Sequence, residues 1–145
     1  MTRATAIVLA LWSIAAMAQP RTPVYLFGQG TSEGLMFGFE VSAERVEKLP
    51  RWSPSGAQPP LPIGAAVQAA EEWIKKRHAE IRQFEVSTVA LSRVTWPGLA
   101  DRWYYRIEFQ PIVGGQRLYG GQFIAVVLFD GSVVEPRVER RSEVR

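Results

Sequence analysis

The sequence contains one histidine, His78, and no cysteine, which limits the chemistry that its side chains can perform. A serine hydrolase triad would have to use His78 as its base, and a zinc or copper site would need further histidine or cysteine ligands. The position of His78 between Ile74 and Ile81 instead predicts a boundary histidine at the edge of an apolar helix face. We therefore expect neither a metal site nor a cysteine nucleophile.

The carboxylates and glycine runs do not form a recognisable catalytic arrangement either. Glu71 and Glu72 each stand four residues before a lysine, which is the spacing of ion pairs on a solvated helix face. Gly28-x-Gly30 and the glycines within residues 114–121 have neither the spacing nor the following helix of a phosphate-binding loop. The sequence thus predicts a protein that is not an enzyme and binds no cofactor.

The first eighteen residues have the three parts of a cleavable export signal. Arg3 supplies the positive charge, residues 4–16 are apolar, and Ala16-Met17-Ala18 forms a small-x-small cleavage site before Gln19. A run of this length rises about 20 Å as a helix, which is short for a membrane core of about 30 Å. Because this run is short and no second long apolar segment follows it, we expect no membrane anchor after cleavage. An exported domain without cysteine fits a bacterial periplasmic or secreted protein.

The charge balance does not favour nucleic acid as a partner. Loss of Arg3 with the signal leaves sixteen basic residues of the seventeen, against fourteen acidic ones. The two signs alternate along the chain, and the densest basic cluster, in residues 137–145, is interrupted by glutamates. These residues are interpreted as a solvated charged tail.

Apolar periodicity predicts a strand, a helix and then a meander of strands. Residues 35–41 alternate apolar and other side chains, and Ser42 can cap a short helical turn after them. Residues 62–82 carry apolar side chains at helical spacing, with Ile74 in the middle of the stripe. Further strands are predicted over residues 85–94, 103–110, 123–129 and 132–135.

These elements predict a single α+β domain over residues 35–136, in which one long helix packs on an antiparallel sheet of about four to five strands. Asp130-Gly131 is the strongest hairpin signal and should join the last two strands. Residues 19–34 are rich in glycine, proline, serine and threonine, and are expected to form a flexible leader.

Three stretches carry a resemblance to known families. They are Pro60-Leu61-Pro62 leading into an alanine-rich helix, residues 103–109, and residues 126–134 with their Asp-Gly hairpin. Over residues 60–136 the chain resembles the PepSY-like and cystatin-like families, small exported domains with one helix cradled by an antiparallel sheet. The resemblance to PepSY-like domains implies a role in the inhibition or localisation of extracytoplasmic peptidases. The Gln-x-Val-x-Gly loop of cystatin inhibitors does not occur, so that resemblance implies only the fold.

The strand at residues 123–129 is apolar at every position, so both of its faces should be covered, whereas one helix covers only one face. The other face must be closed by the N-terminal arm, by another copy or by a different protein. The sequence does not fix the register between this strand and residues 103–110, so either apolar set of the strand can face outward. Of the two, we predict that a partner binds the surface formed by Tyr104, Arg106, Ile124, Val126 and Leu128.

The predicted function is therefore that of a non-enzymatic extracytoplasmic binding or accessory module. Its partner would be a protein or peptide, or a second copy of the chain. The alternative is a small-molecule-binding protein or enzyme with a cavity between helix and sheet.

Overall fold

The computed structural model describes residues 22–118 and 123–140. The predicted export signal, the start of the leader, the pair Gly120-Gly121 and the end of the charged tail lie outside these ranges. Within them the fold is α+β, with two antiparallel sheets and one substantial helix. None of the helices in the described ranges is both long and apolar enough to cross a membrane.

The elements follow one another along the chain as β1 (Val24–Gly30), β2 (Leu35–Val41), α1 (Ala43–Glu47), α2 (Ile63–Arg77), β3 (Gln83–Arg93), β4 (Trp103–Val113), β5 (Gln116–Arg117), β6 (Ile124–Leu128), β7 (Val133–Val134) and β8 (Arg137–Arg140). The smaller sheet has the strand order β1-β2-β8. The larger sheet has the order β3-β4-β6-β7, with β5 also paired to β4. The single predicted sheet is thus matched only in part, because β2 belongs to the smaller sheet.

Local sequence signals explain the helix boundaries. The Oγ atom of Ser42 accepts a hydrogen bond from the backbone N–H of Arg45 at 3.3 Å, which caps α1 as predicted. Helix α2 begins after Pro62, whose extended backbone occupies the N-cap position. It ends at Arg77, earlier than the predicted end at Arg82.

The predicted hairpin at Asp130-Gly131 joins β6 to β7. Gly131 has a φ of 83°, which favours glycine, and the Asp130 carboxylate accepts a hydrogen bond from the backbone N–H of Ser132 at 2.9 Å. This turn fixes the register of the two strands, with Val127 opposite Val133.

The larger sheet lies between α2 and the smaller sheet, so the domain has three layers. Alternate residues of β4 and β6 face α2, and the side chains between them face the smaller sheet. All five residues of β6 are buried, which confirms the prediction that both faces of this strand are covered. On the side of the larger sheet that faces α2, the helix contributes three fully buried residues to the core: Ala66, Ala70 and Ile74.

Residues 24–30 form a strand where the sequence predicts a flexible leader. Strand β1 pairs with β2 from Val24 opposite Val41 to Gly30 opposite Met36, and Val24 is fully buried. The glycines of β1 obscure its alternating pattern. Because pairing with β2 satisfies its backbone groups, the segment is ordered despite its composition.

Residues 137–140 form strand β8 where the sequence predicts part of a charged tail. Strand β8 pairs with β2 from Leu35 opposite Arg140 to Gly38 opposite Arg137. All four of its residues are exposed, since β8 is an edge strand that pairs through its backbone while its side chains contact water. The described domain therefore extends beyond both predicted boundaries.

Candidate functional site

The five residues predicted to form a partner surface share one face of β4 and β6, but the chain itself covers that face. Tyr104, Ile124, Val126 and Leu128 are buried. They belong to one apolar cluster with residues of β1, β2 and α1. The smaller sheet therefore covers most of the predicted partner surface, and these four residues are not available to a second protein in the folded domain. Arg106, the fifth, is half-buried at the edge of that cover.

Tyr104 and Arg106 make contacts that attach β1 to the larger sheet. The Tyr104 hydroxyl donates a hydrogen bond to the carbonyl of Leu26 at 2.6 Å. Burial raises the pKa of the Tyr104 phenol above its ordinary value, so this group stays a neutral donor. The Arg106 guanidinium lies 4.8 Å from the centre of the Phe27 ring, and its Nε atom is 3.2 Å from Glu108 Oε1.

His78 has an apolar environment at the end of α2. The centre of its ring is 5.0 Å from that of Phe123 and 6.4 Å from that of Phe84. Its Nδ1 atom is 3.5 Å from Glu80 Oε1, and its Nε2 atom is buried with no hydrogen-bond partner in the described part of the chain. This is the boundary position that the sequence predicts. Residues 22–118 and 123–140 contain no group of three or more potential metal ligands.

The sequence also contains a Gly-x-Ser-x-Gly pattern, at residues 30–34, which in some hydrolases presents a nucleophilic serine. Such a serine lies on a turn between a strand and a helix. In this fold the pattern forms the hairpin turn between antiparallel β1 and β2, where the Thr31 N–H donates to the Leu35 carbonyl at 2.8 Å. Ser32 is exposed, and the ring of His78 packs on Phe123, on the opposite face of the larger sheet. The pattern is therefore structural.

Strand β3 forms a long edge of the larger sheet. Among the described residues it pairs only with β4. A β-bulge between Val86 and Thr88 interrupts this pairing and is followed by a regular run of six residues, from Thr88 to Arg93. Residues 86–91 include no charge and no proline, two of the features by which edge strands commonly avoid pairing with other chains. A third such feature, the bulge, lies before the regular run.

The same strand carries exposed apolar side chains. Val86 lies opposite Phe109 and Val89 opposite Ile107, on the face that α2 covers. Helix α2 packs over β4, β6 and β7, however, and leaves Val86 38 % and Val89 37 % exposed. Within the described part of the chain, β3 therefore has both an edge without a partner strand and apolar side chains that α2 leaves uncovered.

A groove of about 190 Å³ crosses the outer face of the smaller sheet. Its lining residues are Tyr25, Met36, Phe37, Gly38, Glu40, Arg137 and Glu139. Gly38 lies in the middle of the central strand, and the absence of a side chain there leaves the groove open. This groove was not predicted from the sequence. The signal for it was a glycine inside a strand pattern, which often marks a close approach of a ligand or another backbone.

Comparison of the chain with family models, with curated proteins and with solved structures gives no match. The resemblance to the PepSY-like and cystatin-like families therefore remains a prediction from the sequence.

Proposed function

We propose that this protein is a non-enzymatic extracytoplasmic binding module that takes up an extended segment of a partner protein as an added strand beside β3. The observation that carries the proposal is the edge of β3 from Thr88 to Arg93, which pairs with no other strand of residues 22–118 and 123–140, with the exposed Val89 beside it. In strand addition, main-chain hydrogen bonds supply affinity, and contacts to alternate side chains supply specificity.

The geometry of β3 suggests the length and character of the segment. Six residues of an extended strand span about 20 Å, so a partner segment of similar length would pair with the regular run. Its side chains on the helix side would meet Val89 and Leu91, which favours apolar residues there. On the other face they would meet Thr88, Ala90 and Ser92, which favours small or polar residues.

A peptide selected on the protein would test the proposal. The probe is a displayed library of random dodecapeptides, selected on the chain from Gln19 to Arg145. Val89→Lys places a charge on the pairing edge and should weaken binding of the selected peptides about tenfold. The matched control is Val113→Lys at the far end of β4, where the valine is 49 % exposed, and it should leave binding unchanged.

Both substitutions are at exposed positions, so both variants should fold. Amide hydrogen exchange of the complex should show new protection along Thr88–Arg93. Three results would contradict the proposal. They are equal binding by the two variants, protection confined to other strands, and dimers that form through β3 without any peptide.

The proposed location outside the cytoplasm depends on the export signal predicted from the sequence, and it has its own test. We expect the mature chain to begin at Gln19, because the apolar run and the Ala16-Met17-Ala18 pattern are those that a signal peptidase processes. Mass spectrometry of the exported protein checks the new N-terminus. An intact Met1, or protein retained in the membrane fraction, would contradict this prediction.

A further inference from the structure

Glycine residues form the floor of the groove on the outer face of the smaller sheet. Gly38 on β2 has Gly28 on β1 and Arg137 on β8 as its cross-strand partners. Tyr25 leans across the two glycines: a Cβ atom at Gly28 would lie 1.8 Å from the Tyr25 hydroxyl oxygen. Only glycine at that position leaves room for the tyrosine in this orientation. The groove thus combines a glycine floor with an aromatic wall.

The charges around this groove do not balance. Arg137 Nε lies 2.8 Å from Glu139 Oε1, so these two side chains neutralise each other. Glu40 lies opposite Tyr25 across the β1–β2 pair and is exposed, with no ion pair to any residue that the structure describes. Among the described residues, the groove therefore carries one carboxylate without a counter-charge next to an aromatic ring.

A guanidinium group matches this combination. It is a planar cation that stacks on aromatic faces and forms paired hydrogen bonds with a carboxylate. Tyr25 is 51 % exposed, so part of its ring is accessible to such a stack, and the thioether of Met36 adds a polarisable surface nearby.

We infer that the groove binds the guanidinium group of an arginine side chain presented by another polypeptide. Glu40 supplies the counter-charge and Tyr25 the stacking surface, over the floor formed by Gly38. This goes beyond the proposed function, because the groove belongs to the smaller sheet and not to the edge of β3.

The test is an NMR titration of the mature chain with N-acetyl-arginine amide. Shift changes are expected at the backbone amides of Tyr25, Gly38 and Glu40, and added salt should weaken the interaction. N-acetyl-citrulline amide has the same shape without the charge, and N-acetyl-lysine amide has the charge without the planar group. Both should bind more weakly than the arginine derivative.

Two variants separate the groove from general surface charge. Glu40→Gln keeps the shape of the side chain and should weaken binding about fivefold. Gly38→Ala places a Cβ atom 3.8 Å from Tyr25 Cε2, an ordinary contact, so the protein should fold while the raised floor weakens binding. The control is Glu72→Gln on the exposed face of α2, which should bind like the parent.

The inference would be overturned if the citrulline or the lysine derivative bound as tightly as the arginine derivative. It would also be overturned if Glu40→Gln bound the arginine derivative as tightly as the parent does. Failure of the peptide selection on β3 would not overturn this inference, because Val89 and Glu40 lie on different sheets. The two proposals can therefore fail separately.

Discussion

Replacing Leu128 by aspartate is expected to abolish cooperative folding of the domain. Leu128 is fully buried between the two sheets, opposite Tyr104 on β4. The substitution removes a core side chain, at a cost of about 2–5 kcal/mol, and adds a carboxylate that loses its hydration. Small domains have unfolding free energies of about 5–15 kcal/mol. The two costs together should therefore equal or exceed the free energy of unfolding of this domain.

The matched control for this prediction is Leu118→Asp. Leu118 directly follows β5 and is 41 % exposed. The same substitution there should lower the free energy of unfolding by less than about 1 kcal/mol. Circular dichroism and urea unfolding of the two variants provide the comparison. A Leu128→Asp protein as stable as Leu118→Asp would mean that the smaller sheet does not cover this face of β6 in solution.

The second large effect is expected for Ile74→Ala, which should lower the free energy of unfolding by about 2–5 kcal/mol. Ile74 is fully buried in the half of the core that α2 shares with Ile107 and Val127. Truncation leaves a cavity between helix and sheet that neighbouring side chains fill only partly.

Glu72→Ala on the exposed face of the same helix is the control for Ile74→Ala. Glu72 accepts one long hydrogen bond, from Gln68 at 3.3 Å, so its loss should cost under about 0.5 kcal/mol. Urea midpoints of the two proteins measure the difference. Equal midpoints would show that the apolar face of α2 had been placed incorrectly.

The candidate sites differ in how much of them could be predicted. Tyr104 and Arg106 share one face of β4, as alternation within a strand predicts, and the register places Val126 of β6 opposite Arg106 on that face. The sequence did not fix this register, so the grouping across the two strands was a hypothesis that the structure bears out. The sequence predicted that this face is covered, but it did not say whether the N-terminal arm, another copy or a different protein covers it, because alternation carries no information on the covering element. Strand β3 was predicted as a strand, but its position at an edge depends on the strand order of the whole sheet.

Interactions over long sequence separations account for most of what was missed. Buried Arg102 shows this: its Nη2 atom donates to the carbonyl of Glu47 at 2.9 Å, and its Nη1 atom is 2.6 Å from Asp101 Oδ1. These contacts attach the end of α1, whose last carbonyls have no partners within the helix, to the residues before β4. Nothing in the composition around Arg102 indicates that its side chain is buried.

By itself the sequence determined the elements whose causes are local. The cap at Ser42, the stripe around Ile74 and the turn at Asp130-Gly131 all depend on residues a few positions apart. Only the tertiary structure decided that residues 24–30 and 137–140 pair with β2 and that the resulting sheet closes the second face of β6. The physical reason is that period-two alternation specifies a half-buried strand without specifying its neighbours, and that backbone pairing can order a segment rich in glycine or charge.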